Sequence, residues 1–461
     1  MTAFGTPSEP PRFGVGTDFP PGPAERLGVR DRGDAPPCPL NQLMDMFHYY
    51  GDVVRFQTRF NTFFLFSHPT HVREILHRHH YVRSPLIKTL LGDGLLAADG
   101  PYWERQRRLM LPAFQQNAVD KMVAIFSQVT ADRVGTWTDH LDANSRFNLS
   151  REMDRIALSN ICRGLFGTDL DDDFLDAFGL VMREIAAMAN AAVFGWSLIR
   201  KANTNRQFQA AMQVIEAAVE SVVQSAGHIR SDEVNLLKVL HDARRGPDDE
   251  RLTHRQIRDE IITMITAGHE TTAVVLSWAW FAIASHPHVA EKFYHEVDNV
   301  LGQRRVTASD LPRLKYTRMI VDETIRMYPP VWLISRKVLR DDQIGGCHIP
   351  AGAGALISPY VLHRHPEFWD NPETFDPERF DGRTDEQEVY SYIPFLRGRH
   401  LCIGKQFALT EAVVVLATIA QQCRIHLADQ CRPAYDPLLS LRIRGGLHVT
   451  AQRRIPAEAS A

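Results

Sequence analysis

Apolar and polar positions alternate early in the chain. From Gly51 onward, DVVRFQTRF and NTFFLFSHP read as two short strands with a turn at Asn61-Thr62 between them. The period then lengthens, and residues 71–79 read as a helix. Helical patterning dominates from Tyr102 to about Ala284, with one short amphipathic helix over 232–241 and a charged loop, ARRGPDDER, behind it. Thr253 is placed to cap a long helix that runs to about Ser285, where His-Pro-His ends it. Roughly 33 residues at ~1.5 Å each make it about 50 Å long. Its second half, TTAVVLSWAWFAIA, is apolar almost all round, the pattern of a buried central helix. Another helix is expected from Ser309-Asp310-Leu311-Pro312 to Tyr328. Short strands follow in IGGCHIPAGAGALISPYVLH, then a loop-rich stretch to Phe395, a helix over about 402–422 and a final hairpin around Arg444-Gly445-Gly446. The fold class is mainly α with small β sheets. No linker divides it, so residues 41–461 read as one domain behind a Pro/Gly-rich arm over 1–40.

Composition adds exclusions. Hydrophobic residues are 44% and charged residues 23%, as in ordinary globular proteins. Lys+Arg total 52 and Asp+Glu 55, so no basic excess points to nucleic acid. The first 40 residues hold no apolar run of signal-peptide type. The longest apolar candidate for a membrane span, 273–284, is too short. A cytoplasmic protein without a membrane anchor is the expectation. Six cysteines are scattered with no CxxC pair, which argues against a zinc ribbon.

One cysteine stands apart. In PFLRGRHLCIG, Cys402 sits just ahead of a helical run, where backbone N–H groups favour a thiolate, so easy ionisation is expected. Gly398 and Gly404 allow sharp turns or close approach, and Arg397, Arg399, His400 and Lys405 add positive charge. On these residues alone a structural cysteine and a nucleophile both stay open.

The segment resembles the heme-ligand loop of the cytochrome P-450 family, Phe-x-x-Gly-x-(Arg/His)-x-Cys-x-Gly. Phe395, Gly398, His400, Cys402 and Gly404 fit it; residue 396, usually Gly there, is Leu. Three further motifs stand in the family's order. Glu323-Thr-Ile-Arg326 is followed by Pro377-Glu378-Arg379-Phe380, which implies a buried triad of Glu323, Arg326 and Arg379 supporting the cysteine loop. Ala267-Gly268-His269-Glu270-Thr271-Thr272 matches the oxygen-activation motif. Gly in a buried helix needs a reason such as close approach of a ligand, Thr271 can bond back to the carbonyl of Ala267, and a carboxyl in this apolar stretch must be hydrogen-bonded or neutralised. Trp103-x-x-x-Arg107 shares one helix face.

The resemblance implies a fold with one long central helix over heme b and the cysteine loop beneath it. It implies Cys402 as axial iron ligand, with Phe395, Gly404, Ala267 and Gly268 against the cofactor. Trp103, Arg107, His400 and Arg336 are its propionate candidates, and Glu270 and Thr271 would manage protons during dioxygen reduction. The activity implied is monooxygenation. With no flavin or nicotinamide fingerprint, electrons are expected from a ferredoxin and its reductase, docking on a basic face that includes Arg105, Arg108, Arg397, Arg399 and Lys405. A monomer is expected. The pocket positions implied are Leu86, Leu95, Phe194, Val331, Trp332, Leu333, Leu438 and Leu439, all apolar, which points to a lipophilic substrate such as a fatty acid or terpenoid. Arg83 or Lys88 could meet a carboxylate at the channel mouth, or be plain surface. A peroxide-driven peroxygenase and a heme-based sensor or carrier are the rival readings, both disfavoured by the Glu270-Thr271 pair.

Overall fold

The computed structural model describes residues 19–23, 38–58, 61–83, 88–194, 202–225, 235–244, 251–382, 390–428 and 433–454. The helices that frame the site are α1 (Pro39–Tyr50), α2 (Gly100–Met110), α3 (Leu149–Phe166), α4 (Asp172–Phe194), α5 (His254–Ser285), α6 (Pro287–Leu301), α7 (Lys315–Met327) and α8 (Lys405–Gln422). The main sheet joins β1 (Val53–Gln57), β2 (Thr62–Phe66), β3 (Tyr81–Arg83), β4 (Ile334–Val338) and β5 (Gly354–Ile357) in the order β1-β2-β5-β4-β3. Only the β2–β5 pair is parallel, with Phe63 opposite Gly354. Near the C-terminal end lie β6 (Cys423–Leu427), β7 (Tyr435–Pro437), β8 (Leu441–Ile443) and β9 (His448–Arg453).

The central helix α5 forms as its sequence predicts. Thr253 Oγ1 accepts from the Gln256 N–H at 3.2 Å, and the Gln256 side chain accepts from the Thr253 N–H at 2.8 Å, a reciprocal capping box. Its buried residues run through most of its length and pack chiefly on α3. The residue that stops α5, His286, is also the cap of α6, which the sequence reading missed: Pro287 occupies the first helical position, where a missing N–H costs nothing.

Three expectations are corrected. The helix expected from Ser309 starts as a 3-10 turn, Ala308–Arg313, because Pro312 cannot donate; α7 begins only at Lys315. The helix expected from about 402 starts at Lys405, leaving Cys402 in the loop. The hairpin at Arg444-Gly445-Gly446 does not form: β8 pairs with β7, and β9 pairs with β6 and with Phe147–Asn148. Gly445 and Gly446, at φ 76° and 79°, turn the chain from one sheet to another.

Of the expected arm over 1–40, residues 19–23 and 38–40 are described: the Arg55 N–H donates to Pro21 O at 2.9 Å, and Pro39 and Leu40 already belong to α1. Among the described residues one helix, α4, is long and apolar enough to cross a membrane. Its Phe174, Phe178, Val181 and Ile185 are buried in the main core.

Candidate active site

Between α5, α4, the β4 edge and the loop before α8 lies a cavity of about 470 Å³. Cys402 lines it, with its thiol accessible inside the cavity although protein surrounds it. The Cys402 N–H donates to Phe395 O at 2.9 Å, closing the loop into a tight bend. Gly398 has φ 70°, as the loop needs. Leu396 stands at φ 59°, a left-handed backbone that costs a non-glycine residue roughly 1–2 kcal/mol. Its side chain packs on the cluster around Ile334, Tyr390 and Ile393, which offsets part of that strain.

Burial raises the pKa of the Cys402 thiol and outweighs the Gly404 N–H and the Arg107 charge that act in the opposite direction.

Support for the loop comes from below. Glu323 and Arg326 are wholly buried, with Nε to Oε2 at 2.6 Å and Nη2 to Oε1 at 2.8 Å. Arg379 Nε reaches Glu323 Oε1 at 3.0 Å, and the Asp376 N–H donates to the same oxygen at 2.9 Å. Arg326 also donates to His363 O at 3.0 Å, while the His363 ring accepts from the Ile393 N–H at 3.0 Å. Ile393, Pro394 and Phe395 then enter the cavity wall. His363 had no sequence signal beyond its type; burial and then Arg326 hold it neutral, with a pKa of about 3.

On the α5 side, Ala267, Gly268, Thr271 and Thr272 line the same cavity. Thr271 Oγ1 donates to Ala267 O at 2.7 Å, as the sequence suggested. The protein neighbour that demands glycine at 268 is Ile161 of α3: a Cβ there would sit 2.5 Å from its Cδ1. Glu270 is not among the lining residues. Its carboxylate is hydrogen-bonded behind the wall, accepting from Ser440 Oγ at 2.7 Å and from Arg442 Nε at 3.1 Å.

Cations gather at one rim. Trp103 is buried, its ring 4.5 Å from that of His400 and 5.5 Å from the Arg107 guanidinium. Arg83, Arg107, Arg336 and His400 all line the cavity. Arg83 is committed elsewhere, donating to Leu95 O, Leu96 O and Ala98 O and to His400 Nδ1, so it is not free to meet a substrate carboxylate. Lys88 pairs with Asp93. Burial, then Arg83, holds His400 neutral with a pKa of about 3. Among the described residues neither Arg107 nor Arg336 has a carboxylate partner, and burial lowers the pKa of both. A thiol donor, apolar walls and unpaired guanidiniums at one edge fit heme, a flat apolar group that carries its own carboxylates.

Of the pocket expectations, Leu95, Val331, Trp332, Leu333, Leu438 and Leu439 line the cavity. Phe194 does not. It stacks towards Trp332 with ring centres 6.5 Å apart, inside the cluster beneath the main sheet. Leu86 lies outside the described residues. Within residues 178–199, a contact region that the resemblance implies, the sequence reading did not single out Ile185, Ala189, Asn190 and Val193, the face of α4 that lines the cavity. It also missed Glu411, wholly buried on α8 and bonded to Asn160 at 2.9 Å. A lone acid in the run ALTEAVVVLATIA was the available signal.

Comparisons with known proteins agree with this geometry. Residues 36–448 match the family model described as Cytochrome P450. The chain is 32% identical to the cyclooctatin synthase of Streptomyces melanosporofaciens, over 85% of this chain and 87% of that one. It is 30% identical to the cyclooctat-9-en-7-ol 5-monooxygenase of the same organism, covering 82% and 83%. Among solved structures, the cytochrome P450DA heme domain superposes with a TM-score of 0.81 at 25% identity, covering 96% of this chain and 99% of that one. With a thiol, an apolar cavity and a cationic rim in one place and a family match over nearly its whole length, the chain belongs to the cytochrome P450 family of heme-thiolate monooxygenases.

Proposed function

We propose that this monooxygenase oxidises an uncharged, lipophilic terpenoid, with Cys402 as the residue that would hold the iron of heme. The observation that carries the reading is the division of the cavity: its cations stand at one rim, and the rest of its wall is mostly apolar. A fatty acid needs a cation for its carboxylate. Arg83 and Lys88 are engaged, and Arg107 and Arg336 are the natural partners of the heme propionates. The two Streptomyces relatives, named for cyclooctatin and cyclooctat-9-en-7-ol, support the same class.

Bound heme supplies the activation of dioxygen, which a thiolate ligand promotes by pushing electron density onto the iron. The chain does the rest. The thiolate is held by the loop that Glu323, Arg326 and Arg379 support. Leu95, Val331, Leu438 and Leu439 hold the substrate and keep water out. Thr271, with its hydroxyl at the cavity wall, passes protons that Glu270 brings from behind it. P450 chemistry also needs dioxygen and an electron donor, and here the donor is assigned to a ferredoxin and its reductase.

Spin-state titration tests the substrate class. The macrocyclic diterpene cembrene is expected to displace water and shift the Soret band of the holoenzyme to shorter wavelength, whereas palmitic acid is expected to leave it in place. A shift with palmitic acid and none with cembrene would reverse the assignment.

A further inference from the structure

Leu95, part of the apolar cavity wall, belongs to a short loop over 92–98 that is gripped by its backbone from two sides. On one side Arg83 donates to the carbonyls of Leu95, Leu96 and Ala98. On the other lies α5. The Asp93 N–H donates to Asp259 Oδ2 at 3.1 Å, and the Leu95 N–H donates to Glu260 Oε2 at 2.9 Å. The approach is close: a Cβ at Gly92 would collide with the Asp259 carboxylate, and one at Gly94 with the Thr263 hydroxyl. Asp259 is also answered by Arg258, whose Nη1 lies 2.8 Å from Oδ1. Glu260 has no such cation. It is wholly buried, its Oε1 has no partner among the described residues, and the proton route given above does not use it. The charge that bears on it is that of Asp259, and Tyr102 of α2 feels both acids.

We infer that Glu260 is a positioning residue for the substrate: it fixes the 92–98 loop against α5 and so sets where Leu95 stands in the cavity. The inference rests on the reading of this cavity as the site of a lipophilic substrate. Burial pushes the Glu260 carboxyl up to about 8 against the Leu95 N–H bond, with Asp259 acting in the same direction as burial. Below that pH the acid is neutral and sits dry behind Leu95. Above it, a buried anion stands beside the Asp259 carboxylate, and such a charge has to be hydrated. Water admitted between α5 and the loop then weakens the wall. Substrate affinity accordingly has an alkaline limit that a neutral side chain at 260 would remove.

Hydrogen exchange of the substrate-free holoenzyme, read by mass spectrometry over 92–98, tests the clamp. Glu260→Leu leaves the Leu95 N–H buried without its acceptor and is expected to lower protection of the segment about tenfold at pH 7. Glu260→Gln keeps an acceptor and is expected to retain wild-type protection. At pH 9 the wild type is expected to be about tenfold less protected than Glu260→Gln at the same pH, the effect of one proton lost one unit above about 8. Cembrene affinity, read from the Soret shift, is expected to follow. It should be about three- to tenfold weaker in Glu260→Leu at pH 7 and in the wild type at pH 9, and unchanged in Glu260→Gln at both. Wild-type protection in Glu260→Leu, or one pH dependence shared by the wild type and Glu260→Gln, would overturn the inference. Altered protection with unaltered affinity would make Glu260 a purely structural residue and overturn its role in placing substrate. A cembrene shift absent from every protein would instead overturn the terpenoid reading. The affinity comparison then runs with 4-phenylimidazole, an apolar ligand of heme iron, so the two readings fail separately.

Discussion

Arg326 is wholly buried, and each of its guanidinium nitrogens has a partner: Glu323 takes Nε and Nη2, and the carbonyls of His363, Pro372 and Thr374 take the rest. Removing it leaves the buried Glu323 Oε2 and three carbonyls without this donor. Arg326→Ala is therefore expected to cost about 3–5 kcal/mol, read as a lower urea midpoint and little bound heme. Charge burial also sets the pH response. His363, at about 3 in the fold and about 6.5 unfolded, contributes stability that is complete above pH 6.5 and is lost as pH falls through 3. Glu411 runs the other way. Burial pushes it up to about 8 against its bond from Asn160. Unfolded, it titrates near about 4.3, so its contribution is complete below that pH and is lost as pH rises through 8. Glu411→Gln is expected to flatten the fall in urea midpoint between about pH 5 and pH 8; an unchanged slope would count against the assignment. The sequence announced Cys402 and the Glu323–Arg326 pair because their partners are local. It was silent on His363 and on the bond from Asn160 to Glu411, which span 30 and 251 positions of the chain.

At the scale of elements, α5 packs chiefly on α3, and Gly268 is the residue that lets α5 approach Ile161. Gly268→Ala places a methyl group 2.5 Å from Ile161 Cδ1 and 2.9 Å from its Cγ1. Such overpacking is expected to cost about 1–3 kcal/mol. Ile161→Ala in the same chain is expected to recover part of it, so that the two thermal shifts are not additive. Additive shifts would mean that the glycine answers to something else. The sequence flagged this glycine as needing a reason and proposed a ligand; Gly268 does line the cavity, and the second reason, Ile161, was not legible because helix–helix proximity leaves no local trace. The same limit explains the C-terminal hairpin that does not form. A Gly-Gly turn between short strands looks like a hairpin whether the strands pair with each other or, as here, with β7 and β6. The α5 cap was legible because the Thr253–Gln256 box lies within one turn.

For the whole molecule, the match over residues 36–448 sets a shared architecture, and what is particular to this chain is where its charges lie. Arg399 pairs with Glu104 and bonds His79 beside the cysteine loop, so part of the basic face expected there is already internally compensated. If the remaining charge steers an acidic ferredoxin, reduction is expected to slow as ionic strength rises; a salt-independent rate in stopped-flow reduction would place the donor elsewhere. Every statement about chemistry depends on the sulfur of Cys402 binding heme iron as a thiolate. The most direct test is the absorption spectrum of the dithionite-reduced protein under carbon monoxide, for wild type and Cys402→Ser. The account predicts the red-shifted Soret band of a thiolate-ligated carbonyl heme in the wild type and its complete loss in the variant. The same band in both proteins, or in neither, would contradict it.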